Sequence, residues 1–147
     1  MPKIYIASPF FNEREIDNLS RVERLLEDRG FQVFSPRQHE VRSEETKGQS
    51  RWSKETFLND KRFIDWAEVV VMLYYVCYSD SGTAWECGYA YGTHTPVVVV
   101  HLESDPNNGS NLMVHEGCHT NLSSIEELED FDFDLLLPVK PYEGKMF

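Results

Sequence analysis

Val69-Val70-Val71-Met72-Leu73-Tyr74-Tyr75-Val76-Cys77 runs directly into Tyr78-Ser79-Asp80-Ser81-Gly82-Thr83-Ala84-Trp85-Glu86-Cys87-Gly88-Tyr89-Ala90, and this junction decides the fold. The first stretch has the length and β-branched content of a buried strand, Val69 to Tyr75. The second turns through Ser, Asp and Gly into a helical segment from about Gly82 to Gly92. A strand, a polar turn and a helix start are the parts of a βα active-site loop. Two carboxylates, Asp80 and Glu86, fall in the loop and the opening turns of the helix. Unpaired backbone N–H groups and the helix dipole there favour an ionised acid. Position alone leaves two readings of Glu86: the chemical centre, or an exposed glutamate that complements the dipole.

Outward from this junction, strands and helices alternate. Lys3 to Ala7 reads as a strand broken by Ser8-Pro9. Asn12 with Glu15 resembles a capping box, and Ile16, Leu19, Val22, Leu25 and Leu26 then recur at helical spacing as far as Gly30. Phe31 to Phe34 is a short second strand. The charged tract Arg37 to Arg51 reads as a long loop, of the kind that forms lids or substrate walls. A helix is expected over Ser53 to Trp66. Four consecutive valines in Thr95 to His101 hide both faces of a strand, as in a parallel sheet. Helices are expected over Asn111 to Cys118 and over Ser123 to Asp130, the latter capped by Ser124 with Glu127, and a last strand over Phe131 to Leu137. The pattern predicts an α/β fold, a three-layer doubly wound parallel sheet of flavodoxin-like order 2-1-3-4-5 with about five strands. Ligands then gather at the carboxyl ends of strands one and three, near Ala7 and Tyr75.

The 147 residues suit a single domain, 1–147. A net charge of −11 repels a phosphate backbone, which excludes nucleic acid and an anionic membrane and favours a small, weakly charged substrate. Three cysteines without a C-x-x-C pair, and an N-terminus with no apolar signal segment, predict a reduced cytoplasmic protein.

Asp60 projects from the apolar side of its helix, beside Phe57, Phe63 and Ile64. It is either desolvated, with a pKa raised towards general-acid use, or rescued by Arg51 or Lys61. Tyr5 stands on the strand face opposite Ile4 and Ile6, either as an ordinary buried phenol or as a donor to Glu86. Ala84, Gly88 and Gly92 form a small-residue stripe whose glycines need a packing reason, from the sheet or from a second subunit. His115 and His119 lie at i, i+4 spacing without an evident third ligand, so no metal is expected. There is no G-x-G-x-x-G, P-loop or G-x-S-x-G, and strand one lacks the acidic pair of a receiver domain.

Tyr5, Asn59-Asp60, Asp80 six residues before Glu86, Glu86-x-Gly88-Tyr89-Ala90, Asn111-Leu112-Met113 and Tyr142-Glu143-Gly144, in this order, resemble the nucleoside 2-deoxyribosyltransferase family over nearly the whole chain. The resemblance implies transfer of 2-deoxyribose between purine or pyrimidine bases with retention, through an ester on a glutamate. It matches Glu86 to the nucleophile, Tyr5 to the phenol that orients it, Asp60 to the acid near the leaving base and Asp80 to a ligand of the sugar hydroxyls. Phe10, Phe11 and Gln38 fall where the family contacts the base. Asn111 matches a sugar-binding residue lent by a neighbouring subunit, which implies a dimer-based homo-oligomer, commonly a hexamer, with shared sites. The implied partners are 2′-deoxynucleosides and free bases, with no cofactor. The chain ends in Phe147 where those relatives carry a tyrosine. Two alternatives stand beside this reading. One is a 2′-deoxynucleoside 5′-monophosphate N-hydrolase, whose members carry serine at the positions of Asp80 and Asn111. The other is a non-catalytic nucleotide-binding module.

Overall fold

The valine-rich strands lie side by side in one parallel sheet in a computed structural model that describes residues 1–41, 48–75, 80–103, 109–136 and 139–147. The chain runs β1 (Lys3–Ala7), α1 (Glu13–Asp28), β2 (Gln32–Phe34), α2 (Gln49–Trp66), β3 (Val69–Tyr74), α3 (Ser81–Gly92), β4 (Val97–His101), α4 (Leu112–Glu116) and β5 (Thr120–Leu122). The sheet order is β2-β1-β3-β4-β5, the expected flavodoxin-like order, and every pairing is parallel. Register sets Tyr5 between Phe34 and Val70.

Side chains alternate across a strand, so each strand feeds two cores. Ile4, Ile6, Val71 and Val98 pack with Leu19, Val22 and Leu26 of α1. Tyr5, Ala7, Val70, Met72 and Tyr74 pack on the other face with Ile64 of α2 and with Cys87 and Ala90 of α3. Glu86 is thereby carried by a helix lying on Tyr5's side of the sheet.

The turn before α1 follows the capping pattern. Asn12 Oδ1 accepts from Glu15 N at 2.9 Å, while Glu15 Oε1 takes Phe11 N at 2.8 Å and so fixes the Phe10-Phe11 turn. Gly30, at φ +89°, closes the helix end in a conformation that favours glycine. On the next loop, buried Glu23 of α1 receives Ser35 Oγ at 2.6 Å and Arg37 through Nε at 3.1 Å and Nη2. The segment after β2 is clamped to α1 by this carboxylate.

Several expected boundaries move. Helix α2 begins at Gln49 rather than Ser53, which takes the end of the expected loop 37–51 into the helix; a 3-10 turn, Pro36–Gln38, takes its beginning, and residues 42–47 lie outside the described ones. The expected helix Ser123 to Asp130 is a 3-10 helix, Ile125–Glu129, in which Ile125 and Leu128 are buried at the i, i+3 spacing such a helix eclipses. Ser124 makes no side-chain cap, and Glu127 takes Ser123 N instead. No strand forms over the described part of Phe131 to Leu137, residues 131–136: Phe131 and Phe133 turn into the core edge to face, ring centroids 4.9 Å apart. The fifth strand is instead Thr120–Leu122, polar in two of its three residues. Asn121 compensates for its burial by pairing with His101 Nε2 at 2.9 Å and donating to Lys140 O at 3.3 Å. The C-terminal tail then returns to Asn111, where Ser110 N donates to Lys145 O and Leu112 N to Phe147 O at 3.0 Å. Among the described residues no helix is long and apolar enough to cross a membrane.

Candidate active site

Three elements converge at the carboxyl ends of β1 and β3. Strand β1 supplies Tyr5 and leads into Ser8-Pro9-Phe10-Phe11, α2 supplies Asp60, and the start of α3 supplies Asp80 and Glu86. Ser8 to Phe11, Asp60, Asp80 and Glu86, together with Thr83, Trp85, Phe57, Lys61 and Pro36, surround a cavity of about 530 Å³, and Tyr5 lies fully buried behind Glu86. A second lobe of about 910 Å³ lies along α2, lined by Trp52, Thr56, Asn59, His39 and Glu40. Phe10, Phe11, Pro36 and Asp60 line both lobes, so Asp60 stands at their junction.

The Tyr5 hydroxyl donates to Glu86 Oε2, joining the first strand to the third helix, and this is the donor reading of Tyr5. Tyr5 is fully buried against Phe34, with ring centroids 5.6 Å apart, so its phenol has little freedom to turn away. The surroundings overturn the expectation that the helix start holds Glu86 ionised. Burial pushes its carboxyl up to about 8; the Tyr5 hydrogen bond works against this, and the charges of Asp60 and Asp80 add to it. The physical reason is position. Glu86 is the sixth residue of α3, beyond the first turn where the dipole and open N–H groups act. The phenol of Tyr5 is itself pushed well up, first by burial and then by Glu86, and so stays a donor.

Asp60 follows the desolvated reading. Burial raises its carboxyl to about 6. Neither proposed rescuer reaches it, because Arg51 pairs with Glu55 at 2.8 Å and Lys61 with Asp65 at 3.0 Å, each within its own helix. Asp80 is the N-cap of α3: its Oδ2 accepts from Thr83 N at 2.8 Å and Thr83 Oγ1 at 2.7 Å. One carboxylate oxygen is committed to the helix, and the residue still lines the cavity beside Glu86.

Phe10 and Phe11 stack 6.3 Å apart at the wall common to both lobes, with Phe11 80% exposed and open to a planar ligand. Gln38 is exposed and is not among the lining residues; its neighbours Pro36 and His39 are. Asn111 lines neither lobe. It caps α4, its Oδ1 accepting from Met113 N at 2.9 Å, and the Phe147 carboxyl end lies beside it at Leu112 N.

The two histidines at i, i+4 spacing turn to separate partners, His115 Nδ1 to Ser110 and His119 Nε2 to Leu136 O. Among the described residues no group of three or more His, Cys, Asp or Glu is arranged to hold a metal ion. Burial pushes the Cys87 thiol well up and that of Cys118 to about 11, far from thiolate nucleophiles; Cys77 lies outside the described residues. A Cβ added at Gly88 or Gly92 meets nothing within 4 Å, so close packing on the sheet is not the reason for the small-residue stripe.

Trp52, Thr56, Thr83 and Trp85 also line the two lobes and carry no motif in the sequence. Trp52, Thr56 and Asp60 recur every four residues along α2, and that spacing carries the signal for three residues on one wall.

A doubly wound sheet with a phenol-bound glutamate at its switch point defines a flavodoxin-like α/β enzyme. The family model described as nucleoside 2-deoxyribosyltransferase matches residues 4–123. The chain is similar to a solved 2-deoxyribosyltransferase from the psychrotolerant bacterium Bacillus psychrosaccharolyticus, at 36% identity and TM-score 0.85, covering 95% of this chain and 98% of that one. A conserved protein from Enterococcus faecalis V583 shares the fold at 20% identity and TM-score 0.60, over 100% of this chain and 91% of that one. No curated protein sequence matches. The chain belongs to the nucleoside 2-deoxyribosyltransferase family and is a nucleoside deoxyribosyltransferase.

Proposed function

We propose that this enzyme moves the 2-deoxyribosyl group of a 2′-deoxynucleoside to another purine or pyrimidine base with retention, through an ester on Glu86. The observation that carries the reading is the Tyr5–Glu86 hydrogen bond at the floor of a cavity that Asp60 and Asp80 also line. One Glu86 carboxylate oxygen attacks the anomeric carbon. The C–N bond breaks with its electron pair on the base, and Asp60 supplies the proton that makes the departing base neutral. The second base then attacks the same carbon from the opposite side, the ester C–O bond breaks, and the incoming base returns its proton to Asp60. Two inversions give retention. Tyr5 steadies the carboxylate as leaving group in this second half. The smaller lobe suits the sugar, and the lobe bounded by Phe10, Phe11 and Trp52 suits a planar base. Incubating the protein with deoxyinosine and adenine should yield deoxyadenosine and hypoxanthine. Hypoxanthine and free deoxyribose with no new nucleoside would point to a hydrolase, and binding without release of base to a non-catalytic module.

The active form needs Glu86 ionised and Asp60 protonated. Below about pH 6 both carboxyls hold protons, and above about 8 neither does, so kcat/KM should be bell-shaped with limbs near 6 and 8. Asp60→Asn should lose the alkaline limb. It should slow transfer from donors whose bases leave poorly unprotonated by about 100-fold. A retained alkaline limb would remove Asp60 from the acid role.

Asp80 beside the sugar lobe would repel a phosphate dianion, which favours unphosphorylated nucleosides over 5′-monophosphates. Asn111 is not among the residues that line its own chain's cavity and lies next to exposed Leu112 and Met113, and the open glycine stripe of α3 meets no partner among the described residues. These observations support a homo-oligomer, built from dimers and as large as a hexamer, in which Asn111 completes a neighbour's site. Mixing Asn111→Ala with Glu86→Ala subunits should restore part of the activity that each lacks alone. No recovery, with subunit exchange demonstrated, would place Asn111 elsewhere. The enzyme would serve salvage of deoxynucleosides in a reducing cytoplasm.

A further inference from the structure

We infer that Thr56 is a specificity-determining residue that hydrogen-bonds the exocyclic oxo or amino group of the base, an inference that rests on the transfer reading above. Thr56 lines the larger lobe, and its hydroxyl is shut off from solvent with no hydrogen-bond partner. Buried hydroxyls in folded proteins are nearly always partnered. A helical threonine has a ready remedy in the carbonyl four residues back, and Thr56 does not use it. Its neighbours on the same wall are engaged: Trp52 Nε1 donates to Val41 O at 2.8 Å, Asn59 Nδ2 to His39 O at 3.5 Å, and Asn59 Oδ1 accepts from Arg62 Nη2 at 3.3 Å. Among the described residues the buried polar group of this wall left without a partner is the hydroxyl of Thr56, and one rotation about χ1 carries it to the second rotamer that threonine adopts in helices.

Placement gives this hydroxyl a partner in the bound state. Thr56 lies one turn before Asp60 on the same face of α2, with Cβ atoms about 5–6 Å apart. Asp60 stands at the junction of the lobes, where the base joins the sugar. A base protonated by Asp60 and held between Phe10-Phe11 and Trp52 extends along α2 towards Thr56, and its exocyclic substituent meets that side chain. A hydroxyl both donates and accepts, so it satisfies an oxo group or an amino group by turning its proton. It thus accepts 6-oxo and 6-amino purines alike and favours both over a purine that carries only hydrogen at that carbon, which leaves the hydroxyl as unpaired as it is without ligand.

The test compares acceptors with deoxythymidine as the common donor. Wild type should use adenine and hypoxanthine with similar kcat/KM, each about tenfold above unsubstituted purine, the worth of one neutral hydrogen bond. Thr56→Val keeps the shape and loses the hydroxyl. It should bring adenine and hypoxanthine down to the level of purine, leave purine itself unchanged and raise the melting temperature by removing an unsatisfied group; Thr56→Ser should restore the preference. A preference that survives in Thr56→Val and Thr56→Ala, or an equal loss for all three acceptors, overturns the inference. Calorimetric binding of adenine and purine to wild type and Thr56→Val reads the same selectivity without turnover. An absence of transfer would therefore count against the transfer reading and leave the role of Thr56 to be decided by binding.

Discussion

Glu86→Gln is expected to lower deoxyribosyl transfer by at least about 1000-fold, as removal of a catalytic nucleophile does, while making the protein more stable. The two effects share one cause. Glu86 is half-buried beside Asp60 and Asp80, and desolvation pushes its carboxyl from 4.5 to about 8. A carboxyl whose folded pKa is raised holds its proton in the native state when the unfolded chain has already released it. Its contribution to stability is full below about pH 4.5 and is lost progressively as pH rises to about 8. Glutamine keeps the acceptor for Tyr5 and carries no charge to desolvate. The variant should match wild type near pH 4 and pull ahead by on the order of 2 kcal/mol at pH 8, several degrees in Tm for a domain of this size. Thermal melts at pH 4, 6 and 8 would check this. A constant offset across that range would mean that Glu86 is not desolvated in the folded enzyme.

Glu23→Ala is the second large effect, and it falls on stability. Glu23 is 1% exposed and ties Ser35 and Arg37, on the loop after β2, to α1. Removing one partner of a buried ion pair strands the other, at a cost of about 3–5 kcal/mol; Arg37 is 29% exposed and regains some hydration, which brings the expected loss to about 3 kcal/mol. For 147 residues that lowers Tm by roughly 10 °C. Because Pro36 and His39 continue the same loop into the cavity wall, KM should rise in the folded variant more than kcat falls. Chemical denaturation giving a loss under 1 kcal/mol would mean that Glu23 does not hold the loop.

The parallel sheet was legible because periodicity and burial agree. Four valines in a row, Val97 to Val100, fit only a strand covered on both faces, and the apolar run Val69 to Tyr74 is buried along its whole length in the same way. Strand β5 was not legible, because Thr120 and Asn121 are polar and their burial depends on His101 and on the returning tail at Lys140, partners distant in sequence. The same distinction runs through the site. The pairing of Tyr5 with Glu86 could be anticipated from a strand position and a helix start. The charge state of Glu86 could not, because desolvation depends on packing rather than on distance from the helix terminus. Sequence alone is compatible with either fate of Asp60, because the choice depends on Arg51 and Lys61, which the fold engages with Glu55 and Asp65. Thr56 gave no local signal, since an unpartnered hydroxyl becomes visible only once its surroundings are packed.

The covalent role of Glu86 is tested most directly by trapping. A 2′-deoxy-2′-fluoronucleoside keeps the sugar's shape, while fluorine withdraws electrons and destabilises the cationic transition states on both sides of the ester. With no acceptor base present, intact mass spectrometry should find one fluorodeoxyribosyl group added per subunit, and peptide mapping should locate it on Glu86. Adding adenine should remove the label and release the corresponding fluoronucleoside. A label on Asp80 or Asp60, or no label on a protein that turns the substrate over slowly, would contradict Glu86 as the nucleophile.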